Sequence, residues 1–325
     1  MPPWGADAGR LGAHMRTSRA RRTLRMAVLG SAVGALALAP TIGAVAAPAD
    51  GDVAPIVVSR LGGGGAVTYL ALGTSLSRGV QPGTGHANEG FVDVLWGGVR
   101  QQIPTLGLRN VSCRGETSLS MLTGKRSECH YPAGSQLEAA VAFLEAHPGQ
   151  VAFVTLEVGA NDLVLRCFDG RTGLIDRACA VEQRPRLKER LTQIVDALST
   201  AAGPTVPIVA MTYYDPFLGL WGLIPGGRAV ARADQRIWEL LNTEFTTAYG
   251  AAGATVADVA ATFRIDDFAH TAVVHGRGRL PLNVALTCRW TWFCSPRSFT
   301  DPHPNQTGYT KIAHTFEREL QVLLP

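Results

Sequence analysis

The sequence predicts an α/β domain: a three-layer sandwich with a mostly parallel central sheet between helices. Two observations carry this reading. Short apolar runs rich in β-branched residues alternate along the chain with longer stretches whose apolar residues recur at helical spacing. One run, Val151 to Val158, is apolar almost throughout, as in a parallel strand covered on both faces. Composition agrees. Hydrophobic residues make up 46% and charged residues 17%, against about 25% charged in an average globular chain. That excludes a disordered or coiled-coil protein.

The elements follow in order. Val67 to Leu72 reads as the first strand. Phe91 to Ile103 reads as a helix, with apolar residues at Phe91, Val94, Leu95, Val99 and Ile103. Leu108 to Val111 is a short strand, Gln136 to Glu145 a helix, and Val151 to Val158 the central strand. Arg186 to Leu198 is an amphipathic helix. Val206 to Tyr213 is a strand, Ala229 to Tyr249 a long helix, and Ala254 to Val259 a strand. Gln306 to Leu323 closes the chain as a helix. Strand and helix in turn make the sandwich a single domain over residues 66–325, with no internal repeat.

The N-terminus reads as an address. Arg16 to Arg25 is basic, Met26 to Leu38 is apolar, and Ala44-Val45-Ala46 follows Pro40. This is the three-part pattern of a secretory signal peptide, residues 1–46, cut after Ala46. The apolar run is shorter than the roughly 20 residues of a membrane-spanning helix, so no stable span is expected in the mature form. Arg21-Arg22 leaves the general and twin-arginine export routes both open. Met15 is a candidate start. Residues 47–65, with Pro48, Pro55 and Gly62 to Gly65, read as a linker. The glycine run precedes a strand and lacks a following Gly-Lys-Ser/Thr, so it is no phosphate cradle.

Charge and cysteine usage fit an exported protein. The formal net charge is +4. The first 46 residues hold six arginines and one acid, so the remainder, with 24 basic and 25 acidic residues, carries −1. That gives no electrostatic case for nucleic acid or an anionic membrane surface. The six cysteines are even in number and allow fifteen pairings. Nearest-neighbour pairing would give Cys113 with Cys129, Cys167 with Cys179, and Cys288 with Cys294. No zinc-ligand spacing occurs, and no metal or organic cofactor is implied.

In an open parallel sheet, ligands bind beyond the carboxyl ends of the strands. Three segments there carry chemistry. Leu72-Gly73-Thr74-Ser75 leaves the first strand, where a serine is either a nucleophile or a helix cap. Glu157-Val158-Gly159-Ala160-Asn161-Asp162 ends the central strand. Its Asn amide can donate to an oxyanion and Asp162 can hold the loop, although an Asx turn looks the same. Asp301-Pro302-His303-Pro304 places a histidine in a rigid loop with a carboxylate two residues away.

Taken together, these segments resemble the SGNH hydrolase superfamily, the GDSL-type esterases and lipases, and especially its secreted actinobacterial members. Gly115, in Cys113-Arg114-Gly115-Glu116-Thr117, fits the family's second block. The resemblance implies a flavodoxin-like sandwich and a carboxylic ester hydrolase acting on a small-molecule or lipid ester. It also implies catalytic Ser75, His303 and Asp301, and an oxyanion hole from the Ser75 and Gly115 N–H groups and the Asn161 amide. Two departures stand out. Thr74 replaces the usual Asp of the first block, and Asp301 lies two residues before His303 where the family usually has three, a place held here by Thr300. Either Asp301 or a backbone carbonyl near Thr300 would orient His303. A carbohydrate O-deacetylase on the same site and a catalytically silent binding protein are the rival functions. Leu218 to Ile224 would be an acyl pocket, a lid or a core-packed loop. Trp290, Trp292 and Phe293 would wall the site or staple a loop, and Tyr213, Tyr214 and Asp215 would face substrate.

Overall fold

The computed structural model describes residues 67–83, 89–169, 174–298 and 300–323. The expected signal peptide and linker lie outside these residues. In chain order, β1 (Thr68–Leu72) leads to α1 (Phe91–Arg100), β2 (Gly107–Asn110), α2 (Ser118–Thr123), α3 (Gln136–Ala146) and β3 (Val151–Leu156). Then come α4 (Ala160–Cys167), the two-residue strands β4 (Phe168–Asp169) and β5 (Leu174–Ile175), α5 (Arg177–Ala202) and β6 (Ile208–Met211). A 3₁₀ turn, Pro216–Gly222, precedes α6 (Gly227–Ala251), β7 (Thr255–Ala257) and α7 (Val259–Thr262). The hairpin β8 (Thr271–Val274) and β9 (Gly278–Pro281) leads to α8 (Leu282–Trp290) and α9 (Gln306–Leu323).

The central sheet has five strands in the order β2-β1-β3-β6-β7, and every pairing is parallel. Parallel strands need crossovers, and these supply the helices. α1 packs with α9, while α3, α5 and α6 pack in succession as a second group. All six residues of β3 are buried, as its apolar run requires. Tyr69 of β1 stacks on Phe153 of β3, and Phe91 of α1 on Phe316 of α9. The strand order reverses between β1 and β3, and such a switch point opens a crevice at the carboxyl ends of the strands.

Several boundaries differ from expectation for identifiable reasons. α1 stops at Arg100 because Pro104 follows, and Ile103 is buried from a turn instead. α5 begins nine residues before Arg186 and carries Pro185 inside it. Proline normally marks a helix start. Here the Asp176 side chain accepts from the Cys179 N–H at 2.7 Å, and Cys179 is bonded to Cys167, so the first turns are anchored independently. α2 is one short turn that Thr117 caps by accepting from the Ser120 N–H.

The 3₁₀ turn is the core-packed option for the Leu218 stretch. Pro216 to Leu220 are buried, and a Cβ on Gly219 would lie 2.4 Å from the Phe293 ring. Its first residue is preceded by a buried acid. Asp215 accepts from the Phe217 N–H at 2.8 Å and faces Asp234 on α6, which accepts from Trp238 Nε1 at 3.1 Å. Asp215 Oδ2 and Asp234 Oδ1 are buried without a hydrogen-bond partner among the described residues, which favours the protonated form of the pair. Burial, then the facing carboxyl, hold Asp215 well above the usual carboxylate range, and burial raises Asp234 to about 6.

The sign follows from proton binding. The folded pair binds protons more tightly than the unfolded chain, so its stabilisation is present at acid pH and is lost as pH rises through about 6. Asp234→Asn would donate to Asp215 without titrating. Urea unfolding at pH 5 and pH 8 should show a fall in wild-type stability on the order of 1 kcal/mol, and a much smaller one in the variant.

Candidate active site

Three loops meet beyond the sheet. The first leaves β1. Gly73 is required there by close approach: a Cβ would lie 2.0 Å from Ser77 Oγ and 2.9 Å from the Glu157 carbonyl. The loop is then fixed by its backbone. The Gly73 N–H donates to Gln136 Oε1 at 2.7 Å, and the Gly73 carbonyl accepts from Gln136 Nε2 at 3.1 Å and from the Cys113 N–H at 3.0 Å.

Thr74 explains the first departure of the motif. It is a donor here. Its N–H reaches Glu157 Oε2 at 2.8 Å and its hydroxyl reaches both carboxyl oxygens at 2.9 Å. Ser77 Oγ and Tyr213 OH donate to the same group at 3.2 and 2.6 Å. Glu157 is fully buried, and burial raises its carboxyl against the pull of these four donor groups. The acid of this loop thus comes from the end of β3.

The second loop carries Gly115, with φ 72°. It is tied back by the disulfide Cys113–Cys129. Asp162 at the start of α4 accepts from the Ser118 N–H at 2.8 Å and its hydroxyl at 2.5 Å, so it holds α2 rather than its own loop. Asn161 Nδ2 donates to the Glu116 carbonyl at 2.9 Å, which brings its amide against the Gly115 segment with one N–H still to donate. Among the described residues, neither the Ser75 nor the Gly115 N–H has a hydrogen-bond partner. The disulfide Cys167–Cys179 joins the end of α4 to α5.

The third loop brings His303. Its Nε2 lies 3.0 Å from Ser75 Oγ, and its Nδ1 lies 2.8 Å from Asp301 Oδ1, which also accepts the His303 N–H at 2.9 Å. Of the two expected orienting groups the carboxylate occupies the place, so spacing by two residues serves. Thr300, with φ 66°, turns the chain immediately before it. A β-branched residue in that region costs about 1 to 3 kcal/mol, which the surroundings must offset. They do so from the disulfide loop Cys288–Cys294: the Trp292 N–H donates to the His303 carbonyl at 3.0 Å, and the Asn305 N–H to the Trp290 carbonyl at 2.9 Å.

The aromatic residues of that loop staple it. Phe293 is buried, Trp290 packs edge-on against Phe263, and Trp292 Nε1 donates to Gln81 Oε1 at 2.6 Å. Tyr213 and Tyr214 are also buried. They hold protein groups and do not face substrate. The sequence reading missed Glu157, Gln136 and these tyrosine contacts. A charged residue inside the apolar run Val151 to Val158 was the available signal, since a buried acid demands donors. Among the described residues no cluster of His, Cys, Asp and Glu could hold a metal, and no helix is long and apolar enough to cross a membrane.

The family model for the GDSL-like lipase/acylhydrolase family matches residues 71–311. The chain belongs to this family. Its members are carboxylic ester hydrolases, and this chain is one. Solved structures similar to it include an extracellular lipase from Streptomyces rimosus, at 18% identity over 78% of this chain and 99% of that one, TM-score 0.49. Phospholipase A1 from Streptomyces albidoflavus is similar at 17% identity over 78% and 99%, TM-score 0.47. A lipase/acylhydrolase from Enterococcus faecalis is similar at 15% over 80% and 97%, TM-score 0.44. No curated protein matches the chain.

The Gly73 contacts make a prediction. Gly73→Ala should cost about 1 to 3 kcal/mol, the usual range for overpacking, and should abolish ester hydrolysis. Guanidinium unfolding and an ester assay on the same sample check both, and a variant with wild-type stability would contradict the contact geometry.

Proposed function

We propose that this chain is a secreted serine esterase or lipase that works through an acyl-serine intermediate. The observation that carries the reading is the unbroken relay from Asp301 Oδ1 to His303 Nδ1, and from His303 Nε2 to Ser75 Oγ, at 2.8 and 3.0 Å. A free serine is a weak nucleophile, and a base within hydrogen-bond reach activates it. His303 takes the Ser75 proton as Oγ bonds to the ester carbonyl carbon. The oxyanion that forms is met by the Ser75 and Gly115 N–H groups and the Asn161 amide. Collapse expels the alcohol, which receives the proton from His303. Water then attacks the acyl-serine, with His303 again accepting the proton; collapse breaks the acyl–Oγ bond, His303 returns the proton to Ser75 Oγ, and the acid leaves. Asp301 fixes the imidazole tautomer and steadies its charge throughout.

Secretion is supported by the signal-peptide pattern and by the three disulfides, which persist in oxidising compartments.

The test is hydrolysis of p-nitrophenyl acetate, butyrate and palmitate by the protein from Ala47 onward. Ser75→Ala and His303→Ala should each lower kcat by about 10⁴ or more, and Asp301→Asn by up to about 10⁴, with folding unchanged by circular dichroism. Full activity in Ser75→Ala would overturn the reading. Activity on acetylated sugars alone would move it to the deacetylase.

A further inference from the structure

The chain leaves β6 through the adjacent residues Tyr213 and Tyr214, whose hydroxyls reach different loops. The Tyr213 hydroxyl donates to Glu157 Oε1 at 2.6 Å. Glu157 in turn holds Thr74 and Ser77, which flank Ser75. The Tyr214 hydroxyl donates to the Pro302 carbonyl at 2.7 Å, in the peptide that enters His303. One dipeptide thus reaches both halves of the reacting pair.

Its own place is fixed. Asn242 on α6 accepts from the Tyr213 N–H at 2.7 Å and donates to the Tyr213 carbonyl at 2.8 Å. The Tyr213 ring packs between Phe245 and Trp238, and the Tyr214 ring stacks on Phe263 at 4.6 Å. Further along the first loop, Tyr309 and Trp292 brace Val80 and Gln81.

We propose that Tyr213 and Tyr214 are positioning residues that set the separation of Ser75 from His303, Tyr213 through Glu157 and Tyr214 through the Pro302 carbonyl. This rests on the Ser75–His303 reading above. The two residues stand 228 positions apart in the chain and meet through one 3.0 Å hydrogen bond. A single such bond is worth about 1 kcal/mol net, too little to hold two loops in register. The separation must come from the frame. Hydroxyls from neighbouring backbone positions refer both loops to one clamped point, so loss of either lets the same distance drift.

The test compares Tyr213→Phe, Tyr214→Phe and the double variant with the wild type. Tyr69→Phe is the control: it removes an equally buried hydroxyl whose partner, Thr155 Oγ1 at 2.7 Å, lies inside the sheet. The measurements are kcat and KM on p-nitrophenyl butyrate, the rate of Ser75 phosphonylation by a fluorophosphonate, and the thermal midpoint. Each single variant should lower kcat and the phosphonylation rate about 10-fold or more, since misplacement near 1 Å can cost 10²-fold, with KM unchanged. The double variant should lose much less than the product of the two, because both act on one distance. Tyr69→Phe should lower only the midpoint.

Unchanged kcat in both tyrosine variants with a lowered midpoint would overturn the proposal in favour of packing alone. Equal loss of kcat in Tyr69→Phe would overturn it in favour of general softening, and a raised KM with kcat kept would make the tyrosines substrate contacts. Failure of the wild type itself to label at Ser75 would sink the serine-hydrolase reading, and the positioning role with it.

Discussion

A carboxyl group sealed inside an apolar sheet governs how this site is built. Glu157 has no exposure to solvent, and an acid in that position is tolerated only with donors around it. Those donors are the Thr74 N–H and the hydroxyls of Thr74, Ser77 and Tyr213. The loop that carries Ser75 is thereby folded around the end of β3 and not merely attached to the end of β1. The crevice at the switch point between β1 and β3 is thus both a place where a ligand fits and the place where a buried acid needs company. Thr74 is a consequence: beside Glu157 a donor serves where a second acid would repel.

The sheet supplies position, and the covalent cross-links keep it. Each of the three disulfides stands behind one component of the site. Cys113–Cys129 ties the Gly115 segment, Cys167–Cys179 the helix whose second residue is Asn161, and Cys288–Cys294 the loop on which His303 rests. None joins two strands of the central sheet, whose buried residues need no such help. Short loops outside the core have little apolar area to hold them, and cross-links of this length typically add about 2 to 4 kcal/mol by restricting the unfolded chain. Such cross-links persist in oxidising compartments.

Much of this was legible in the sequence, and the limits have physical causes. The strands β1, β3 and β6 show as apolar runs because they are almost wholly buried, and the helices α1, α3, α6 and α9 show through the spacing of their apolar residues. α9 has the expected bounds, Gln306–Leu323. The start of α5 was hidden because Pro185 mimics a boundary. α2, α4 and α8 were hidden because short helices, held by a Thr117 cap or by a disulfide at Cys167 or Cys288, leave little periodicity. Ser75, Asn161 and His303 are visible as polar residues at strand ends and in a rigid loop. What joins them is not visible, since Glu157 looks like an interruption of an apolar strand and Tyr213 and Tyr214 look like substrate contacts until their partners are known. Hydrogen bonds between residues 56 to 88 positions apart leave no local trace.

The proposed mechanism requires the Ser75 N–H, the Gly115 N–H and the Asn161 amide to converge on one oxyanion. A crystal structure of the protein after reaction with a fluorophosphonate tests it directly. The adduct should be on Ser75 Oγ, with its phosphoryl oxygen within hydrogen-bond distance of the Ser75 N–H, the Gly115 N–H and the Asn161 amide. An adduct on another residue, or a phosphoryl oxygen turned to solvent away from Gly115 and Asn161, would contradict the account.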